Sequence, residues 1–194
     1  AECSSLNDVR LSANLTELPD YTFQDCDSIK SVGYYNVDNP SEYIVADVQL
    51  PNTMTTIGEC AFWFCNKQPE DQNRQPEDEY LDSENYGLEV VVLPNNIEVI
   101  GQYAFLNCKY LTKLSLPDGL TSIGEYAFAL SGLTSIDFPD SVISIGYGAF
   151  EACESLESVD MPTGKIEENG ETEEGLPIAE RLFGDRVFAG CTAL

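Results

Sequence analysis

Apolar side chains return along this chain in an order that is longer than any helix or strand period. From Pro94 the sequence places Ile97, Ile100-Gly101, Ala104-Phe105, Cys108, Leu111, Leu114 and Leu116, and then Pro117. The order returns from Pro117 as Leu120, Ile123-Gly124, Ala127-Phe128, Ser131, Leu133, Ile136 and Phe138. It returns again from Pro139 as Val142, Ile145-Gly146, Ala149-Phe150, Cys153, Leu156, Val159 and Met161, closed by Pro162. The prolines at 94, 117, 139 and 162 set periods of 23, 22 and 23 residues. Earlier turns fit once insertions are allowed: Ser12, Leu15, Leu18, Phe23, Cys26 and Ile29, then Pro51, Met54, Ile57-Gly58, Ala61-Phe62 and Cys65, leading to Leu88, Val91 and Leu93. Phe183-Gly184, Val187-Phe188, Cys191 and Leu194 begin a last one.

A unit this short cannot bury its own apolar face, so units must stack and share one continuous core. The stretch from Leu111 to Leu116 ends in period-2 alternation, which predicts a short strand in each unit and a parallel sheet along one side. The proline that follows ends the strand. Gly58, Gly101, Gly124 and Gly146 mark a turn needing either an unusual backbone angle or a close approach. Phe23, Phe62, Phe105, Phe128, Phe150 and Phe188 are predicted to form a buried ladder.

The block Ile-Gly-x-x-Ala-Phe-x-x-Cys-x-x-Leu-x-x-Ile-x-Leu-Pro resembles the BspA-like class of leucine-rich repeats. The resemblance covers everything but three insertions. It implies a β-rich solenoid, right-handed and curved, with short parallel strands on the concave face and mostly irregular convex segments. It also implies a surface or secreted protein of bacteria or protists, acting in adhesion or interaction and not in catalysis. The expected organisation is one solenoid over residues 1–194, with about six turns of 22–23 residues and partial turns at both ends. Pro19 stands where the repeat has Gly, and Ser131 replaces Cys with one residue lost after it, so both turns are expected to be distorted.

The insertions fall at about 30–46, 66–87 and 163–178. The first offers Tyr34, Tyr35 and Tyr43 as loop contacts for a protein or glycan, because tyrosine is amphipathic and costs little entropy to order. The second repeats Gln-Pro-Glu-Asp, and the third carries five glutamates between 167 and 174. These acidic stretches read as solvated loops, with weak calcium binding as the sharper alternative, since that cation prefers oxygen ligands. No other cofactor is expected.

Outward strand positions, Asp8, Arg10, Asp47, Gln49, Lys113, Ser115, Ser135, Asp137, Ser158 and Asp160, would form the concave face, the usual binding side of such a stack. Cys3, Cys26, Cys65, Cys108, Cys153 and Cys191 share one repeat position and are expected to be buried thiols. Strands about 4.7–4.9 Å apart do not suit disulfide geometry. Cys60 sits elsewhere in its unit and is expected to be an exposed free thiol. No Cys-x-x-Cys pair points to a metal. Asn14-Leu15-Thr16 is a sequon with Asn14 expected at the surface.

Composition narrows the partners. Asp and Glu number 34 against 9 Lys and Arg, for a formal net charge of −25, so nucleic acid and anionic membrane surfaces are poor partners, and neither nucleic-acid binding nor direct membrane insertion is expected. The absence of His removes the usual nucleophile–base pairs, which argues against an enzyme. No apolar run reaches membrane-spanning length. The start lacks an initiating Met and a leader pattern, which predicts an excised or processed piece. The expected role is a non-catalytic extracellular or cell-surface module that binds a protein or glycan. The alternative is a filament or layer subunit stacked end to end, joined through Leu6, Val9, Phe188 and Leu194.

Overall fold

The computed structural model describes residues 8–26, 31–34, 48–65, 88–161 and 183–194. Most repeats contribute two short strands, one on the leucine side and one to a second parallel ladder, and no helix occurs among the described residues. The expected leucine strands are β1 (Asp8–Leu11), β4 (Val48–Gln49), β6 (Val90–Val92), β8 (Lys113–Ser115), β10 (Ser135–Asp137) and β12 (Ser158–Asp160). The residues just before each glycine form a second set: β2 (Glu17–Leu18), β5 (Thr56–Ile57), β7 (Val99–Ile100), β9 (Ser122–Ile123) and β11 (Ser144–Ile145). One further strand, β3 (Ser31–Tyr34), lies within the first expected insertion.

The β3 strand corrects the sequence reading. Ile29, Val32 and Tyr34 follow Cys26 at the spacing with which Leu111, Leu114 and Leu116 follow Cys108, so the same pattern makes the same strand. The leucine-side sheet therefore runs β1-β3-β4-β6-β8, while the other runs β2-β5-β7-β9-β11. Between the first two turns, the leucine side carries a strand that the opposite side does not, because β2 pairs directly with β5. The rest of the first insertion, and the second and third insertions, lie outside the described residues.

After each glycine position the chain makes a six-residue arc, at 20–25, 59–64, 102–107, 125–130, 147–152 and 185–190. The second and sixth residue of every arc have positive φ, between 52° and 79°, although ten of the twelve are not glycine. Stacking imposes this conformation. The second, fourth and sixth amides of each arc donate to the first, third and fifth carbonyls of the next. Examples are Tyr103 N to Glu125 O at 2.9 Å, Phe105 N to Ala127 O at 2.7 Å and Asn107 N to Ala129 O at 2.8 Å. The convex segments expected to be mostly irregular are thus a third hydrogen-bonded ladder, which satisfies backbone groups that burial would otherwise penalise. The arc after Pro19 makes the same bonds as its neighbours, so the distortion expected there is absent.

The conserved-looking glycine column resolves the two options left by the sequence. Gly124 has an ordinary φ, but a Cβ on it would lie 2.5 Å from the backbone N of Gln102, so close approach between turns is the reason. The residue lost after Ser131 does distort its turn. The chain cuts inward at Gly132, where a Cβ would overlap the Lys109 carbonyl, and β10 then lies beside β8 without laddering to it. Strands β10 and β12 form a separate two-stranded sheet.

The core is the predicted ladder. Phe62, Phe105, Phe128 and Phe150 are fully buried and stack with centroids 5.0 to 5.2 Å apart, with Phe23 and Phe188 extending the row at 5.3 and 5.7 Å. Such pairs add roughly 0.5–1.5 kcal/mol each beyond their burial.

Candidate functional site

The strand face brings several predicted residues into rows. Parallel register sets Ser135 beside Ser158 and Asp137 beside Asp160, while Lys113 lies beside Val90 and Ser115 beside Val92. All six polar residues of β8, β10 and β12 are exposed, as is Arg10 on β1. Asp8 and Gln49 fall in strands β1 and β4, and Asp47 lies outside the described residues. This face is a small polar surface with a paired carboxylate row at one end and a lysine near the ladder break.

Of the expected loop contacts, Tyr34 belongs to β3 and not to a loop, for the register reason given above; Tyr35 and Tyr43 lie outside the described residues. Among the end residues, Val9 and Phe188 are half-buried against the shared core, Leu194 is 60% exposed, and Leu6 lies outside the described residues. Asn14 is exposed, as its sequon requires.

The cysteine column is built as expected. Cys26, Cys65, Cys108 and Cys153 are buried, Cys191 is partly buried, and Cys3 lies outside the described residues. Cys65, Cys108, Cys153 and Cys191 each donate a thiol bond of 3.2 Å to the carbonyl of a phenylalanine in the preceding turn. Ser131, the one substitution in the column, shares a 3.2 Å bond with Cys153 Sγ. Burial pushes the Cys108 thiol up to about 12 and the Cys153 thiol to about 11. Neutral thiols are poor nucleophiles and poor metal ligands. Cys60 corrects the sequence reading: it is buried, at 3% exposure, because its short side chain does not reach the solvent that the longer Tyr21 and Arg186 reach from the same arc position. Desolvation first, then the Glu59 carboxylate, push it to about 11.

Sequence reasoning missed a feature of the arcs. A cavity of about 440 Å³ lies across three successive arcs, lined by Tyr103, Leu106, Tyr126, Ala129, Leu130, Glu151 and Ala152. Tyr103 and Tyr126 stack at 5.6 Å, and Tyr126 meets Tyr147 edge-on at 5.4 Å. Desolvation first, then Tyr147 and the Glu151 carboxylate, raise the Tyr126 phenol, which stays protonated. Arg186 pairs with Glu151 Oε1 at 2.5 Å, while Glu151 Oε2 is sheltered without a hydrogen-bond partner. The usable signal was Leu130, a large apolar residue at an arc position held by Asp25, Asn107 and Gly190 in three other turns and by Phe64 and Ala152 in the remaining two.

Among solved structures, the chain is similar to a leucine-rich repeat protein from Bacteroides ovatus. The identity is 21%, the TM-score 0.56, and the match covers 100% of this chain and 49% of that one. It is similar to a leucine-rich repeat protein of T. pallidum at 21% identity and TM-score 0.56, covering 95% and 87%. A leucine-rich cell surface protein from Faecalibacterium prausnitzii matches at 23% and 0.57, covering 89% and 45%. The chain thus spans about half the length of two of these three. No curated protein matches it. The model of the BspA type leucine rich repeat region, in 6 copies, matches residues 1–44, 42–70 and 82–172. With the repeat read in the sequence and its stacked ladders seen in the fold, that match settles the family: the chain belongs to the BspA type leucine-rich repeat proteins.

Proposed function

We propose that the chain is a non-catalytic interaction module of the cell surface or extracellular space, whose stacked turns hold a partner-binding surface rigid. The observation that carries this reading is the division between interior and surface. Aromatic rings and neutral thiols fill one shared core, and polar side chains in fixed rows occupy the strand face. A solenoid of this kind offers an extended surface suited to binding a partner. The cell-surface description of the F. prausnitzii relative supports the placement. Its ligand would be a protein or a glycan, and the test is an array of matrix proteins and glycans probed with the chain. A partner retained by the chain, and lost by the double charge reversal Asp137→Lys and Asp160→Lys, supports the strand face as the site. An array with no retained partner counts against the module.

A second reading, end-to-end stacking, has one specific support. Every arc donates its amides towards the next, so the last one leaves the amides of Arg186, Phe188 and Gly190 without acceptors among the described residues. The carbonyls of Asp20, Thr22 and Gln24 likewise lack donors among the described residues. These two edges are complementary, for a second copy or for further repeats of a longer chain. Sedimentation velocity across a concentration series decides for this chain: an open-ended size series supports stacking, and a single monomeric species removes it.

A further inference from the structure

The arc cavity carries an inference that folding alone does not explain. Leu130 stands at φ 59° with 47% of its surface exposed. The left-handed conformation costs an ordinary L-residue about 1–2 kcal/mol, and Asn, Asp and Gly bear it best. Asp25, Asn107 and Gly190 follow that rule at the same arc position, while Phe64 and Ala152 depart from it. Leu130 breaks it and leaves a large apolar side chain at the rim of the cavity. Asn or Gly would be less strained there, so backbone conformation does not account for the leucine side chain.

The lining says what it suits. Along the fifth arc position the side chains shrink from Trp63 and Leu106 to Ala129, which, with Ala152, gives a small-residue floor. The volume is in the range of a ligand site, about 300–1,000 Å³. The polar groups are few: two tyrosines and the Glu151 carboxylate, of which one oxygen is paired with Arg186. A glycan would bring many hydroxyls to a lining that can bond few of them. An aliphatic side chain fits the floor, and a cation beside it fits both the carboxylate and the tyrosine rings. The net charge of −25 favours the same partner.

Resting on the reading of the chain as an interaction module, we propose that this groove binds a short segment of a partner protein in which a branched aliphatic side chain adjoins a lysine or arginine. The aliphatic group seats over Ala129 and Ala152 against Leu130, and the cation sits beside Glu151 and Tyr126.

The test is an NMR titration of the isotope-labelled chain with N-acetyl-Leu-Lys-amide, with N-acetyl-Leu-Glu-amide and maltotriose as controls. The lysine dipeptide is expected to shift amides of residues 102–107, 125–130 and 147–152, and the glutamate dipeptide to bind at least about fivefold more weakly. Leu130→Asn should weaken the lysine dipeptide by about fivefold or more while leaving Tm equal or higher, since Asn relieves the backbone strain. A purely structural leucine would give the opposite pair of results. Shifts confined to the strand face, maltotriose bound in the groove, or a lowered Tm for Leu130→Asn would overturn the proposal. If an array partner that survives the Asp137→Lys and Asp160→Lys reversal is also retained undiminished by Leu130→Asn, the groove assignment falls and the interaction module stands. If the array yields no partner while the lysine dipeptide still shifts the groove, the groove stands and the broader reading falls.

Discussion

Turns are hydrogen-bonded to one another on both the strand side and the arc side of this solenoid, yet by different means, and the strand ladder breaks between β8 and β10 where the arc ladder does not. On the strand side the backbone is ordinary β structure, and the outward residues of β8, β10 and β12 are polar and exposed. On the arc side two residues in every turn are held in the left-handed region, and three amides per arc reach the next turn. Strand geometry tolerates most side chains at its outward positions, so sequence there is free to vary. Arc geometry is set by the neighbouring turns, and it holds even Tyr, Leu and Arg in a conformation they disfavour. Strain at a position that stacking over-determines is where a side chain chosen for binding can persist.

The comparison can be broken at the core that both sides share. Phe128 lies between Phe105 and Phe150 at 5.2 Å from each and is fully buried. Phe128→Ala is expected to cost about 3–5 kcal/mol in chemical denaturation, because neighbouring turns locked by ladders cannot close the cavity. A loss under about 1 kcal/mol would show that the arcs relax independently of the strands.

A smaller effect separates the core from both surfaces. The Cys108 thiol ionises near 12 when folded against an ordinary 9. Its contribution is therefore complete below pH 9 and is lost as pH rises towards 12, where the unfolded chain releases the proton first. Each such thiol steepens the alkaline loss of stability by up to about 1.4 kcal/mol per pH unit. Cys108→Ala should flatten the slope of unfolding free energy between pH 9 and 11, whereas Asp137→Asn should leave it unchanged. Equal slopes for wild type and Cys108→Ala would place that thiol in contact with water.

The smallest expected effect belongs to the strand face. Asp137 and Asp160 are register partners and both exposed, so like charges face each other across adjacent strands. Asp137→Asn should raise stability by roughly 0.2–1 kcal/mol, with the gain shrinking as salt is added. A salt-independent change would mean that something other than repulsion acts there.

What the sequence alone determined is what repeats. Burial demands the same residue type at the same place in every turn, so the columns of Phe23 to Phe188 and Cys26 to Cys191 announced the stack, the shared core and the neutral thiols. The short strands at Leu114 and Ile136 were legible for the same reason, and Ile29, Val32 and Tyr34 carried the signal of the additional strand. Tertiary structure decided what no single unit encodes. The second ladder consists of two-residue strands, too short to leave a period. The left-handed residues are imposed by amides and carbonyls of adjacent turns, so propensity does not reveal them. Cys60 is covered by its stacked neighbours, and the groove at Leu130 exists only where side chains from three turns, 23 and 22 residues apart along the chain, are set side by side. A repeat fixes the contents of each column, while the space between columns belongs to the stacked whole.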